Sequence, residues 1–373
     1  MIPELEPRLV ELADRIGRPR DAVRFARAPG RVNLIGEHTD YQDGFCLPMS
    51  IDRDVLVAWT PRPDGRIHLR SLDFEAVAEF DANDPPSTVE PEWARPAAGM
   101  VATIGLARGV GLDAAVSSTV PIGAGLSSSA AFEVAIGVAL GAANDAPIDG
   151  DQLARAAQRA EHLATGVPCG VMDQMASVHG RRGHALLLDC RSLTVTPVAI
   201  PDELAVVVVH CGVARTLAGS EYAQRRAAVE AAAARLGVAT LRDAMPETVS
   251  DDPFARHVVT ENRRTLMFVA ALRRGRVAEL GELLAGSHRS LRDDFAVSTP
   301  ALDTLVESLV EAGAIGARLT GAGFGGCVVA LTSDSEADAI AARACERYRA
   351  RTGHEPDPFI VRATDGAGEI DPR

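Results

Sequence analysis

Ala28-Pro29-Gly30-Arg31-Val32-Asn33-Leu34-Ile35-Gly36-Glu37-His38-Thr39-Asp40-Tyr41 sets a cation, two carboxylates, an imidazole and two glycines within fourteen residues. Its apolar residues form only the short Val32 and Leu34-Ile35 pulse, too little for an ordinary core strand or helix. Glycine lets backbone approach a ligand closely. Glu37, His38 and Asp40 can together grip several hydroxyl groups, because carboxylates accept hydrogen bonds and imidazole does either. Arg31 stays charged beside an anion. The plain alternative is a solvated surface turn, and two further glycine-rich stretches weaken it.

The second stretch is Pro121-Ile122-Gly123-Ala124-Gly125-Leu126-Ser127-Ser128-Ser129-Ala130-Ala131. A strand over 112–120 precedes it and a long apolar helix over 130–142 follows. Strand, glycine loop and helix N-terminus form a natural seat for phosphate, since free amides and the helix dipole both favour an anion. Serines there can cap the helix, touch phosphate or ligate Mg²⁺; a simple serine cap is the modest alternative. The loop has neither the Walker A spacing nor the G-x-G-x-x-G spacing of dinucleotide sites. The third stretch, Thr320-Gly321-Ala322-Gly323-Phe324-Gly325-Gly326-Cys327, brackets one aromatic residue with four glycines before a buried strand. Glycines this dense imply close approach to another loop or a ligand. Between them, Asp173 sits among apolar residues and glycines, where a carboxylate needs a cation or a hydroxyl donor. A helix cap is its plainer reading.

The totals narrow the class. At 373 residues the chain has room for two domains, and 47% hydrophobic residues fill their cores. The net charge of −13 argues against nucleic acid and anionic membranes as partners, though not against a phosphorylated ligand. Six scattered cysteines without a C-x-x-C pair read as reduced, mostly buried thiols of a cytoplasmic protein. The N-terminus lacks the pattern of a signal peptide, and no segment suits a membrane span.

Periodicity predicts helices over 3–16, 95–108, 130–142, 151–164, 220–236, 258–273, 277–289, 300–312 and 335–350. Strands are predicted over 51–60, 66–71, 112–120, 184–190, 204–211 and 359–362, the first two joined as a hairpin by Pro61-Arg62-Pro63-Asp64-Gly65. Residues 197–203 are the expected domain boundary, separating 1–200 from 201–373.

Together the three stretches resemble the signature motifs of the GHMP sugar and metabolite kinases, most closely those of the galactokinase family. Gly30 to Tyr41 is similar to that family's sugar signature, Leu126 to Ala130 to its nucleotide loop, and Thr320 to Cys327 to its third motif. Weaker similarity extends over Ala160-Glu161-His162, Pro168 to Gln174, Ser220-Glu221-Tyr222 and Ser290 to Phe295. The resemblance implies a two-lobed α+β GHMP kinase fold. Its N-terminal mixed α/β lobe would be ribosomal protein S5 domain 2-like, its C-terminal lobe ferredoxin-like, and the active site would lie in the cleft between.

It further implies transfer of the γ-phosphate of ATP to the anomeric hydroxyl of D-galactose. Glu37, His38, Thr39, Asp40, Gly170 and Tyr222 would bind the sugar. Gly123, Ala124, Gly125, Leu126, Ser127, Ser128 and Ser129 would wrap the phosphates, with Trp93 near the adenine. Ser129 and Glu161 would ligate Mg²⁺, and Asp173 and Arg31 would be catalytic. No protein partner is implied. The chain departs from the family at two places. Gln42-Asp43-Gly44 replaces the usual Asn-Gly-Gly or Asn-Glu-Gly, and Pro96 stands where an aromatic residue usually pairs with Trp93. A kinase of arabinose, galacturonate or N-acetylgalactosamine, or a non-catalytic sugar-binding regulator, are the alternatives; the serine-rich loop that such regulators lose is present.

Overall fold

The computed structural model describes residues 5–105, 110–213 and 218–371, and the statements below concern these residues. The predicted helix ends at 3 and 108 and the side chain of Ser220 lie outside them. In chain order the first lobe comprises α1 (Leu5–Ile16), β1 (Arg24–Asn33), β2 (Phe45–Cys46), β3 (Pro48–Arg62), β4 (Arg66–Ser71), β5 (Ala78–Asp81), α2 (Arg95–Ile104), β6 (Gly111–Ser118), α3 (Ser128–Ala143), α4 (Gly150–Thr165), α5 (Met172–His179), β7 (His184–Asp189) and β8 (Thr194–Ala199). The second comprises β9 (Leu204–His210), α6 (Ala218–Leu236), α7 (Pro253–Arg273), α8 (Val277–Asp293), α9 (Pro300–Glu311), β10 (Gly316–Thr320), β11 (Cys327–Ser333), α10 (Ala337–Thr352) and β12 (Asp357–Val361). A last short strand, β13 (Gly368–Ile370), returns to pair with β1.

The large sheet runs β13-β1-β3-β6-β4-β5. Side chains of a strand alternate between faces. Ala26 and Ala28 of β1 accordingly face α2, α3 and α4, while Phe25 packs with Leu12 and Ile16 of α1 on the other side. The C-terminal sheet, β10-β11-β9-β12, is antiparallel throughout. Its strand β9 is buried on both faces. Val207 and Val209 join the core beneath α6, α9 and α10, and Val206 and Val208 join a middle core with Val32, Leu34 and Phe268. A strand buried on both faces reads as an unbroken apolar run, which is why four consecutive valines occur there.

Two expectations change. The turn at 61–65 does not close a hairpin: β6 lies between β3 and β4, antiparallel to the first and parallel to the second. Pro and Asp-Gly turn the chain, but a nonlocal strand supplies the partner. The boundary that we propose near residue 200 falls after β8, yet the C-terminal residues cross back. The Thr364 amide reaches the Ser50 carbonyl, and β13 completes the first sheet's edge. Among the described residues, no helix is long and apolar enough to cross a membrane.

Asp54 on β3 fastens α1 and the returning tail to the sheet. Buried to 3% exposure, it accepts from Arg8 of α1 at 2.8 Å and from Arg27 of β1 at 2.6 Å, and Arg27 also donates to the Asp365 carbonyl. Removing one partner of a buried ion pair strands the other charge. Asp54→Ala is therefore expected to lower unfolding stability by about 3–5 kcal/mol. In denaturant melts, Asp54→Ala combined with Arg27→Met should lose less than Asp54→Ala alone. Equal losses would refute the stranded-charge account.

Candidate active site

Gly30 brings β1 against the serine-rich loop. A side chain there would begin 2.8 Å from the Leu126 carbonyl, the carbonyl to which the Arg31 amide donates at 3.0 Å. The Arg31 side chain, 4% exposed, then donates through Nε and Nη2 to the two oxygens of Asp173 at 2.8 and 2.7 Å, and through Nη1 to the Gly125 carbonyl at 2.7 Å. Asp173 lies in the first turn of α5, where the helix dipole favours negative charge. Ser127, held in the left-handed region at φ 63°, also donates its hydroxyl to Asp173. One bidentate pair thus joins the first stretch, the second stretch and the helix bearing the predicted base.

A cavity of about 390 Å³ opens on this pair. Arg31, Asp173, Glu37, His38, Asp40, Gly170, Tyr222, Gly123, Gly125, Ser127, Ser128, Ser129 and Glu161 all line it, with Gly321 and Ala322 of the third stretch. Four expected residues do not: Trp93 lines a neighbouring cleft, and Thr39, Ala124 and Leu126 are turned away. Thr39 is fully buried, its hydroxyl donated within the loop to the Gly36 and Phe45 carbonyls; it shapes the loop instead of facing the cavity. Ala124 and Leu126 turn their side chains into the core.

The acidic loop is held from the other lobe. The Gly36 amide donates to Glu261 and the Phe45 amide to Asn262, both on α7, while His257 of the same helix meets the Glu37 carbonyl at 3.1 Å. The carboxylate of Glu37, 2% exposed, accepts from Asn33, Thr320 and the Gly321 amide and pairs with Arg318. The His38 ring lies between Tyr41 and the Ala322 carbonyl. Burial and the neighbouring His257 push it down to about 3, so it is neutral, and the carbonyl at Nε2 assigns the proton to that nitrogen. A Cβ at Gly170 would lie 1.7 Å from an Asp40 oxygen, so any other residue there would displace the Asp40 carboxylate. No ion pair is formed by Asp40 among the described residues. Burial, Asp173 and Glu37 push its carboxyl up to about 6.

At Ser128 and Ser129 the cavity meets a second, apolar cleft of about 210 Å³, lined by Trp93, Phe74, Pro96, Ile122 and Phe132. Phe74 stacks on Trp93 at 5.7 Å with rings 10° from parallel. An aromatic partner for Trp93 is therefore present, supplied from a different part of the chain than position 96. Beside Glu161, three buried acceptor oxygens lack donors: Glu161 Oε2, Glu133 Oε1 and Gln174 Oε1. Burial and the adjacent Glu161 push the Glu133 carboxyl well up. Glu133 so raised holds a proton that it can share with Glu161, and the acceptors still outnumber the donors, which suits a hydrated cation in that proton's place. No cluster of three His, Cys, Asp or Glu residues among the described residues is arranged as a metal cage. Mg²⁺ does not require one, since it retains waters and shares substrate phosphates.

Sequence reading had not singled out Phe74, Gln174, His257, Glu261, Asn262 or Arg318 as site residues. Glu133 left a trace, as the one carboxylate in an otherwise apolar helix.

Three family profiles match the chain: "Galactokinase galactose-binding signature" over residues 12–61, "GHMP kinases N terminal domain" over 95–181 and "GHMP kinases C terminal" over 268–350. A galactokinase of Chloroflexus aurantiacus is 45% identical over 363 residues, covering 92% of each chain. One of Chloroflexus aggregans is 44% identical over 370 residues, covering 94% of each. The crystal structure of Lactococcus lactis galactokinase complexed with galactose superposes with a TM-score of 0.91 at 31% identity, covering 98% of this chain and 100% of that one. Methanococcus jannaschii mevalonate kinase shares the fold, with a TM-score of 0.67 at 19% identity over 93% of this chain and all of the other.

Asp40 carries a pH signature. Because its carboxyl is raised in the folded state, ionisation opposes folding, and stability falls as pH rises from about 4 to about 6. Asp40→Asn should match the ligand-free wild type near pH 4 and exceed it above pH 6 by up to about 3 kcal/mol. Thermal melts at pH 4, 6 and 8 check this, and an advantage independent of pH would refute it.

Proposed function

This chain belongs to the galactokinase family of the GHMP kinases, and on that ground we propose that it transfers the γ-phosphate of ATP to the C1 hydroxyl of D-galactose, giving galactose 1-phosphate and ADP. It is an ATP-dependent sugar kinase acting on small-molecule substrates. The observation that carries the residue roles is the bidentate Arg31–Asp173 pair. It stands in one cavity between the glycine-serine loop and the acidic loop.

In this reading, Glu37, His38, Asp40, Gly170 and Tyr222 surround the sugar. Asp173 faces the hydroxyl that attacks. Each of its oxygens already accepts a bond from Arg31, and a carboxylate oxygen has room for another donor. The arginine and Ser127 thereby fix its direction while leaving it able to orient the alcohol and receive its proton. Arg31 has five N–H groups, of which three are committed. The remaining two can meet phosphate charge without releasing Asp173. Gly123 to Ser129 offer amides and hydroxyls at the start of α3, where an anion is favoured.

The residues present fit Mg²⁺. Ser129 and Glu161 would hold it, with Glu133 and Gln174 behind, and the ion would neutralise charge on the phosphates. Phosphoryl transfer asks chiefly for alignment and charge stabilisation, and both fall to groups already in place.

The cavity's charge favours a neutral sugar. Arg31, which lines it, is committed to Asp173, and Arg318 is paired with Glu37, leaving Asp40 as an acceptor for hydroxyls. An acidic sugar such as galacturonate would place a further negative charge beside Glu37, Asp40 and Asp173.

Asp173→Asn and Arg31→Ala should each lower kcat by at least about a thousandfold, in line with losses at groups that stabilise transferring charge, while galactose binding by calorimetry persists. Near wild-type turnover in both variants would remove the assignment. The apolar cleft is the adenine site in this reading. Phe74→Ala should raise the KM for ATP by about tenfold, the scale of a lost aromatic contact, with the KM for galactose unchanged. An unaltered KM for ATP would place the base elsewhere.

A further inference from the structure

A buried arginine is costly unless a charge answers it. Arg318 is 0% exposed, on the edge strand β10 of the C-terminal sheet, where it meets Glu37 of the acidic loop. Its Nη1 donates to the Leu319 carbonyl at 3.1 Å, and its Nη2 lies 2.8 Å from Glu37 Oε1. That same oxygen receives the Gly321 amide at 2.6 Å and the Thr320 hydroxyl at 3.1 Å, so donors from the C-terminal lobe crowd it. Glu37 Oε2 receives only Asn33 Nδ2, at 2.9 Å. Glu37 nevertheless lines the sugar cavity. A carboxylate oxygen takes about two donors, which leaves Oε2 as the one with room for a hydroxyl.

We infer that Arg318 is a positioning residue for sugar recognition: by fixing Glu37 Oε1 it presents Glu37 Oε2 to a hydroxyl and sets the acidic loop against the C-terminal lobe. The inference rests on the galactokinase reading above. A well-packed apolar pair in the same space would be about as stable as a buried ion pair. What the ion pair adds is a buried positive charge held against one oxygen: Nη2 lies beside Oε1 without hydrogen-bond alignment and Nε has no partner, so Arg318 holds Oε1 electrostatically while the Gly321 amide and the Thr320 hydroxyl bond to it. The arginine touches no substrate and acts through Glu37.

Three proteins test this: Arg318→Lys, Arg318→Met, and Arg318→Met combined with Glu37→Gln. The double variant guards against simple misfolding, because it leaves no stranded carboxylate. The Asn33 amide can also turn to meet the side-chain amide that Glu37→Gln introduces, its own Oδ1 being without a partner. Galactose KM and equilibrium galactose affinity should weaken by about tenfold or more in Arg318→Lys, the scale of a lost charge-assisted contact. The KM for ATP should stay within about twofold. Arg318→Met should melt below wild type, and the double variant should recover the melting temperature but not the galactose affinity. Wild-type galactose affinity in Arg318→Lys and in the double variant would overturn the inference, as would a parallel rise in both KM values. Absence of galactose phosphorylation by the wild type would instead refute the functional reading.

Discussion

The Arg31–Asp173 pair is the constraint from which the rest of the site takes its geometry. Arg31 is fixed at both ends. Its amide is bonded to Leu126, and its guanidinium is shared between Asp173 and the Gly125 carbonyl. β1, the serine-rich loop and α5 therefore cannot move independently. A bidentate arginine–carboxylate contact specifies angle as well as distance. In the function proposed here, that angle sets where an alcohol and a phosphate would meet. Gly30 permits the arrangement, since any side chain there would press on Leu126 and Val120.

A second constraint acts across the lobes. The loop that carries Glu37, His38 and Asp40 belongs by sequence to the first lobe, yet its hydrogen bonds run to α7, β10 and the third glycine stretch. Buried backbone donors and acceptors need partners, and a loop with so few apolar residues cannot supply its own. Glu261, Asn262 and His257 meet that need. The cleft is thus built by both lobes, and the third stretch contributes amide and carbonyl groups where its glycines allow close approach.

The three stretches, most helices and the buried valine strand were legible because each has a local signature: glycines with polar side chains, a 3.6-residue period, or a continuous apolar run. What escaped was nonlocal. β6 entered between β3 and β4 because pairing depends on the whole sheet, which a turn at 61–65 cannot report. Phe74 became the partner of Trp93 from a separate loop. Thr39 was expected to bind the sugar from the family resemblance, and only its neighbours' carbonyls show that its hydroxyl is spent. Arg318 carried no signal of its own in the sequence, and its burial beside Glu37 is visible only in the fold.

The backbone carries the same division of labour. Non-glycine residues rarely adopt positive φ, and where they do the surroundings must hold them. His38, Ser127 and Phe324, one in each stretch, do so at φ 59°, 63° and 59°. Each is pinned: His38 between Tyr41 and Ala322, Ser127 to Asp173, and Phe324 by its amide on the Val297 carbonyl. Strain at these points is sustained by contacts made elsewhere, and the polar side chains of His38 and Ser127 line one cavity. The raised carboxyl of Asp40 belongs to the same logic. A carboxyl set against its neighbours is one whose burden a hydroxyl donor relieves, so in the function proposed here the cost of assembling the site favours a neutral, many-hydroxyl ligand.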